Sequence, residues 1–291
     1  MQVFYYHSNQ KEFNLKALPE ASSANTLDES SIQLPAGVYT TIRTYHQAQA
    51  LYFDRHIDRL ERSAYLTGNF IRINRPQLRQ AIFQAMQIVG QRDQRIRITV
   101  IPQKDSSFGI YLAFSDLVVP SKRAYEQGVR AVTAMMKREN SEAKVTDFIK
   151  STHATRQSLP EGTNELFMIE NGGVFLEGLT SNIFCVENGT IWTADKDVLP
   201  GITRQVVIEL IQAQRIPLVL SGYPYEKMGH LDEVFITSTS RAVLPVTRIN
   251  KISIGSGKPG AITKLLANAY KAHIEASIKP IYDAAVSSPS S

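Results

Sequence analysis

A lysine amine does chemistry when a neighbour gives it an electrophile to attack and a reason to shed its proton. Lys150 stands in Phe148-Ile149-Lys150-Ser151-Thr152, behind an apolar pair at the edge of a helix start. Further on, Glu177 lies between the strand-like Val174-Phe175-Leu176 and the turn Gly178-Leu179-Thr180-Ser181-Asn182, a place with no evident core role for an acid. Leu199-Pro200-Gly201-Ile202-Thr203-Arg204 reads as a glycine loop opening a helix, whose exposed amides and positive end suit a phosphate group. Singly, each has an ordinary alternative: a solvated lysine, a capping or solvated glutamate, a plain helix cap.

Other chemistries lack their signatures. The chain has no Gly-Xaa-Ser-Xaa-Gly elbow, no phosphate loop ending in Gly-Lys-Ser/Thr and no His-Glu-Xaa-Xaa-His helix. Its six histidines do not pair at metal-ligand spacing, and its single cysteine, Cys185, supports neither a disulfide framework nor a metal site. No metal is expected.

In this order and spacing, Lys150, Glu177 with Ser181-Asn182, and Gly201-Ile202-Thr203-Arg204 resemble the fold-type IV pyridoxal-phosphate-dependent enzymes, which include branched-chain aminotransferases, D-amino acid aminotransferases and aminodeoxychorismate lyases. The resemblance continues upstream in Gly37-Val38-Tyr39-Thr40-Thr41-Ile42-Arg43 and His56-Ile57-Asp58-Arg59-Leu60, and downstream in Thr237-Ser238-Thr239-Ser240 before Leu244-Pro245-Val246, spanning residues 36 to 267. It implies an α+β, two-domain fold like that of D-amino acid aminotransferase, with pyridoxal 5′-phosphate as cofactor. Lys150 would be the Schiff-base lysine and proton carrier, and Glu177 would face the pyridine nitrogen to keep it protonated. Arg59, the amides of Ile202 and Thr203, and Thr239 would hold the phosphate, while Tyr39, Arg97 and Ser240 would lie on the substrate side. Arg97 shares its strand face with Arg95 and Thr99, which also reads as a simple exposed face. The resemblance further implies transfer of an amino group between an amino acid, branched-chain-like first, and a 2-oxo acid, by a homodimer.

Three positions depart from the aminotransferase pattern. Thr155 stands where branched-chain enzymes carry a tyrosine, and Thr40-Thr41 replaces a pair that begins with Glu in many aminotransferases and looks more like the lyases. Arg241 follows Ser240 where transaminases often end the loop in Glu, adding a charge that an acidic substrate could use. The alternative activity is therefore an aminodeoxychorismate lyase releasing pyruvate and p-aminobenzoate. A cofactor-binding protein without catalysis is the reading from a different class.

The elements that must position these residues follow from periodicity. Val38 to Phe53 reads as a hairpin turning at His46 to Gln49. Asp54 is placed to cap a helix with Ile57, Leu60 and Ala64 on one face and Arg55, Arg59 and Arg62 on another. Leu78, Ile82, Ala85, Met86 and Val89 predict a second helix opening after Pro76 and closing at Gly90, followed by strands around 95–100 and 109–114. The chain turns polar from Asp116 to Gly128, so a boundary near 121 separates a smaller domain, 1–120, from a larger cofactor-binding domain, 121–283, with a disordered tail at 284–291. The second half is predicted to hold a strand from 129, hairpins at Asn171-Gly172 and Asn188-Gly189, and helices at 203–214 and 260–277, the last with Ile262, Leu265, Leu266, Ala269, Tyr270 and Ile274 on its stripe.

With 291 residues and 43% hydrophobic composition, the chain can bury two lobes. Its 32 basic and 27 acidic residues give a net charge of +5, but the basic ones are spread out and not interleaved with aromatics, which argues against nucleic-acid binding. No stretch reaches the roughly 18 apolar residues of a membrane span. A soluble, cytoplasmic protein is expected.

Overall fold

The computed structural model describes residues 1–8, 14–103, 107–171 and 173–282. The tail at 284–291 and Gly172 of the Asn171-Gly172 turn lie outside the described residues. The chain is mixed α and β with two sheets, as expected, and divides into two compact units. One comprises Met1–Leu117, Ala143–Ser151 and the stretch from Ser277 onward; the other comprises Val118–Glu142 and Thr152–Ala276.

The first unit runs β1 (Gln2–His7), β2 (Lys16–Ala17), α1 (Pro19–Ser22), α2 (Leu27–Gln33), β3 (Val38–Tyr45), β4 (Gln49–Leu51), α3 (Phe53–Leu66), α4 (Arg75–Val89), β5 (Gln94–Pro102) and β6 (Phe108–Asp116). With a late strand, Ile278–Pro280, these make a seven-stranded sheet ordered 278–280, β4, β3, β5, β6, β1, β2, antiparallel throughout. Strand alternation sends Ile42, Ile96, Ile98, Leu112 and Phe114 to one face, where Ile57, Leu60, Leu78, Ile82, Ala85 and Met86 of α3 and α4 cover them. Val3, Ile101 and Ala113 point to the other face and pack with Ala21 and Leu27 of α1 and α2.

Several local expectations need correction here. Tyr52, at φ 48°, is the residue before α3 and helix begins at Phe53; Asp54 lies inside the first turn, where Arg79 donates to both its carboxylate oxygens at 2.9 Å. Of the arginines grouped on one face of α3, Arg59 is buried while Arg62 is exposed. Arg97 and Thr99 are buried as well, and Arg97 is met by α2, a helix that composition alone did not announce. Asn74, whose side chain accepts from Gln77 N, caps α4 and places Pro76 within its first turn.

The second unit runs α5 (Lys122–Gln127), β7 (Val129–Met135), α6 (Thr146–Gln157, begun within the first unit), β8 (Thr163–Ile169), β9 (Phe175–Gly178), β10 (Asn182–Glu187), β11 (Thr190–Trp192), α7 (Ile202–Ala213), β12 (Leu218–Val219), β13 (Glu233–Ser238), β14 (Ala242–Ile249), β15 (Ile252–Ser253) and α8 (Ala261–Ser277). Its sheet is ordered β12, β11, β10, β13, β14, β7, β8, β9, with β15 on β14, and it closes on itself because β9 also pairs β10, Glu177 opposite Asn182. The pairs β14–β7 and β7–β8 are parallel, while β8–β9, β10–β13 and β13–β14 are antiparallel. Phe167, Phe175, Ile183, Cys185, Val234, Ile236, Leu244 and Val246 fill this unit's core. The Asn188-Gly189 turn joins β10 to β11 with both residues at positive φ, 48° and 75°, the conformation a tight hairpin demands. The polar break contains α5, capped by Ser121, and the stripe of α8 is narrower than expected, with Leu265 exposed. Among the described residues, no helix is long and apolar enough to cross a membrane.

Candidate active site

Lys150 lies in α6, half-buried, and its Nζ donates to the Leu34 carbonyl at 3.1 Å. The start of this helix is pinned to the entry of β3. Thr146 N donates to Gly37 O, Gly37 N to Thr146 Oγ1 and Tyr39 N to Lys144 O, each at 2.9 Å. Gly37 is required there, since a β-carbon on it would run into the Val100 carbonyl. The lysine is thus carried on a helix whose N-terminus the sheet holds.

In the same unit, Arg59 Nη2 donates to Thr40 Oγ1 at 2.9 Å, and Thr40 Oγ1 lies 3.0 Å from His56 Nδ1, all three residues being buried. His56 is pushed well below its ordinary value by burial first and then by the charges of Arg59 and Lys144, so the ring is neutral. Tyr39 is buried with cations on its ring, the Arg97 guanidinium at 4.7 Å and Lys144 Nζ at 4.6 Å from its centroid. Arg97 Nη1 donates to Leu27 O at 2.7 Å and Ser31 Oγ at 2.8 Å and pairs with Asp28 at 2.8 Å, while Nε donates to Thr41 Oγ1 at 3.2 Å. Far from an exposed strand face, this arginine is engaged by α2, and a substrate carboxylate would have to compete with Asp28 for it.

In the second unit, Glu177 is buried on β9. Its Oε2 accepts from Asn182 Nδ2 and from Leu199 N, both at 3.1 Å, and Arg138 Nη1 lies 3.7 Å from its Oε1. Asn182 Nδ2 also donates to Leu199 O at 2.9 Å, so one amide side chain ties the carboxylate to the loop that opens α7. Gly201 precedes that helix with no side-chain cap, and a β-carbon on it would strike Asn182 Oδ1. Helix geometry leaves the first amides, of Ile202 and Thr203, without intrahelical acceptors. Arg204 is occupied structurally, donating to Ala194 O at 2.8 Å and Asp195 Oδ1 at 2.9 Å.

Thr239 and Ser240 form the half-buried turn between β13 and β14. Arg241, expected as a spare charge, is instead neutralised: its Nη2 donates at 2.8 Å to buried Glu165 Oε2, which also accepts from Thr180 Oγ1 at 2.6 Å and Ser181 Oγ at 2.8 Å. Thr155 is half-buried on α6. Sequence reading missed Arg138, Glu165 and His56 as participants. Arg138 sits in the charge run Lys137-Arg138-Glu139, and nothing in the spacing of single charges tells a buried one from a solvated one.

Structurally, 96% of the chain superposes with a TM-score of 0.79 on 98% of a branched-chain amino acid aminotransferase of T.th. determined with pyridoxamine 5′-phosphate, at 20% identity. In sequence it is 28% identical over 269 residues to a D-alanine aminotransferase of Bacillus licheniformis, covering 88% of this chain and 94% of that one. It is 26% identical over 262 residues to a branched-chain-amino-acid aminotransferase of Pseudomonas aeruginosa, covering 80% and 82%. Residues 37–249, a span that takes in Lys150, Glu177, the 199–204 loop and Thr239, match the amino-transferase class IV family, and to that family the chain belongs.

Proposed function

We propose that this enzyme transfers an amino group between a branched-chain-like amino acid and a 2-oxo acid, with Lys150 moving the proton. The family's cofactor is pyridoxal 5′-phosphate. The observation that carries the reading is that the buried carboxylate of Glu177, on β9, accepts from Leu199 N, at the start of the same segment that opens the uncapped N-terminus of α7, with Asn182 bonded to both the carboxylate and Leu199 O. One end suits a protonated ring nitrogen and the other a phosphate, which fits this cofactor's two charged ends. Bound there, it supplies an electrophilic carbonyl and a ring that accepts electrons from the substrate α-carbon.

The chain's own groups do the rest. Glu177, oriented through Oε2 by Asn182 and Leu199 N, holds the proton on the ring nitrogen. Arg59, the amides of Ile202 and Thr203, and Thr239 bind the phosphate. Lys150 Nζ would take the proton from the substrate α-carbon and give it to the carbon on the far side of the amino nitrogen, a 1,3-transfer that a single swinging amine can make in both directions. Tyr39, Arg97 and Ser240 orient the substrate. The names of the Pseudomonas aeruginosa and T.th. proteins support a branched-chain substrate, and that of the Bacillus licheniformis protein makes D-alanine the next to try. A homodimer in the cytoplasm is part of the same reading.

The test is a single half-reaction. Loaded protein mixed with L-leucine, L-isoleucine or L-valine and no acceptor should release one equivalent of 2-oxo acid per site and stop, then resume when 2-oxoglutarate is added. A second reading, aminodeoxychorismate lyase, is favoured by the neutral hydroxyls of Thr40 and Thr41, which accept from Arg59 and Arg97. Continuous release of pyruvate and p-aminobenzoate from aminodeoxychorismate, with no oxo acid from any L- or D-amino acid, would establish it instead.

A further inference from the structure

We infer that a hydrogen-bond relay from Arg59 through Thr40 to Nδ1 of His56 sets the guanidinium for a phosphate, making Thr40 and His56 positioning residues for the phosphate-bearing cofactor; this rests on the reading of Arg59 as a phosphate anchor. His56 and Arg59 are three residues apart on α3 and so lie on one side of it, facing Thr40 on β3. All are buried, and Thr40 is entirely inaccessible. A guanidinium can only donate, so Thr40 Oγ1 accepts from Arg59 Nη2 at 2.9 Å. The hydroxyl has a single proton to give, and its one other partner among the described residues is His56 Nδ1 at 3.0 Å.

Giving the buried hydroxyl proton an acceptor assigns the second bond, with Thr40 Oγ1 donating to His56 Nδ1. His56 accepts at Nδ1 and carries its ring proton on Nε2. Burial and the nearby charges of Arg59 and Lys144 keep the ring neutral, as an accepting Nδ1 requires. A protonated ring would turn Nδ1 into a donor and strand the threonine proton. The choice of a hydroxyl matters too: a carboxylate at position 40 would orient Arg59 but neutralise it, whereas a hydroxyl orients it and leaves its full charge for a dianion. A guanidinium held before the ligand arrives loses less freedom on binding.

The experiment compares dissociation constants of pyridoxal 5′-phosphate and pyridoxal, which share ring and aldehyde and differ in the phosphate, on full-length protein stripped of cofactor, by equilibrium dialysis. The ratio of the two constants isolates the phosphate contacts, because general damage to the protein weakens both ligands alike. Thr40→Val and His56→Leu should each reduce the preference for the phosphorylated ligand about tenfold. Thr40→Ser, which keeps the hydroxyl, and His56→Asn, whose amide oxygen can replace Nδ1 as acceptor, should stay within about twofold of wild type; a roughly tenfold loss in either, with the protein folded, would contradict the relay. If Arg59→Ala collapses the ratio while Thr40→Val and His56→Leu leave it intact, the anchor stands and the relay is wrong. If Arg59→Ala leaves the ratio intact, the anchor itself is wrong and the relay falls with it.

Discussion

Asn182 Nδ2 donates to Glu177 Oε2 at 3.1 Å while the two residues stand opposite each other as the register pair that closes the second unit's sheet. The carboxylate proposed to face the cofactor ring is therefore held by the neighbouring strand through Asn182 and by Leu199 N of the loop that opens α7. A group so constrained keeps its aim without reorganising during reaction, which is where electrostatic help is most effective.

Replacing Glu177 by Gln should leave the cofactor bound and slow the chemical step by about 2 to 4 powers of ten. A glutamine oxygen can still accept from Asn182 and Leu199 N, so the rate and not the fold should respond. Rapid-quench measurement of oxo acid formation checks this; an unchanged first turnover would remove Glu177 from the ring nitrogen.

Lys150→Ala should abolish oxo acid release while moving the melting temperature by only about 3 °C. The lost side chain is half-buried and gives up one bond, to Leu34 O, of roughly 1 kcal/mol. Turnover at the wild-type rate would show that another group carries the proton.

Much of this was legible in the sequence, and the division between what was and was not has a physical basis. Residues 78–89 and the Asn188-Gly189 hairpin announce themselves because periodicity and turn chemistry are local. Lys150, Glu177 and Gly201 were legible only as a set, through their resemblance to known enzymes. Arg59 and Arg97 were named as site residues, but their burial and their partners were not legible, and Arg241 was read as an available charge; whether an arginine is solvated or buried against Thr40, Asp28 or Glu165 depends on helices and strands brought from far along the chain. Thr40 was noticed as a departure, but not that its hydroxyl joins two site residues.

Glu165 offers a pH test. Burial pushes its carboxyl up, but the Arg241 charge and hydrogen bonds from Thr180, Arg241 and Ser181 outweigh that and hold it below its ordinary value. Its contribution is thus fully present above the unfolded value, near pH 4.3, and is lost as pH falls through the folded one. Arg241→Met should cost about 3 kcal/mol at pH 7 by leaving a buried charge unpaired, with the gap to wild type narrowing as acid protonates Glu165. Urea denaturation at pH 7 and pH 4 measures both; a loss below about 0.5 kcal/mol at pH 7 would contradict the pairing.

His56 predicts a second pH effect, of the same sign and at higher pH. The folded ring resists a proton that the unfolded chain accepts below about pH 6.5, so stability is full above that and falls by up to about 1.4 kcal/mol per unit as pH drops toward the folded value. His56→Asn should flatten this slope between pH 7 and pH 5. Identical slopes in the two proteins would mean that His56 takes up its proton without resistance.

The closed sheet of the second unit also dictates an order of events while the chain is being made. The Glu177–Asn182 seam joins strands separated by one short turn and can form as soon as both emerge, as can the run from β7 to β9. The ring cannot be completed until β14 arrives, because Val246 must lie beside Val129. Until then β7 waits with one edge of backbone donors and acceptors unpaired, on a stretch that also carries apolar core residues. A nascent chain halted before residue 242 therefore presents a sticky strand edge, and the hazard of synthesis for this protein lies in the long wait between its seventh strand and its fourteenth.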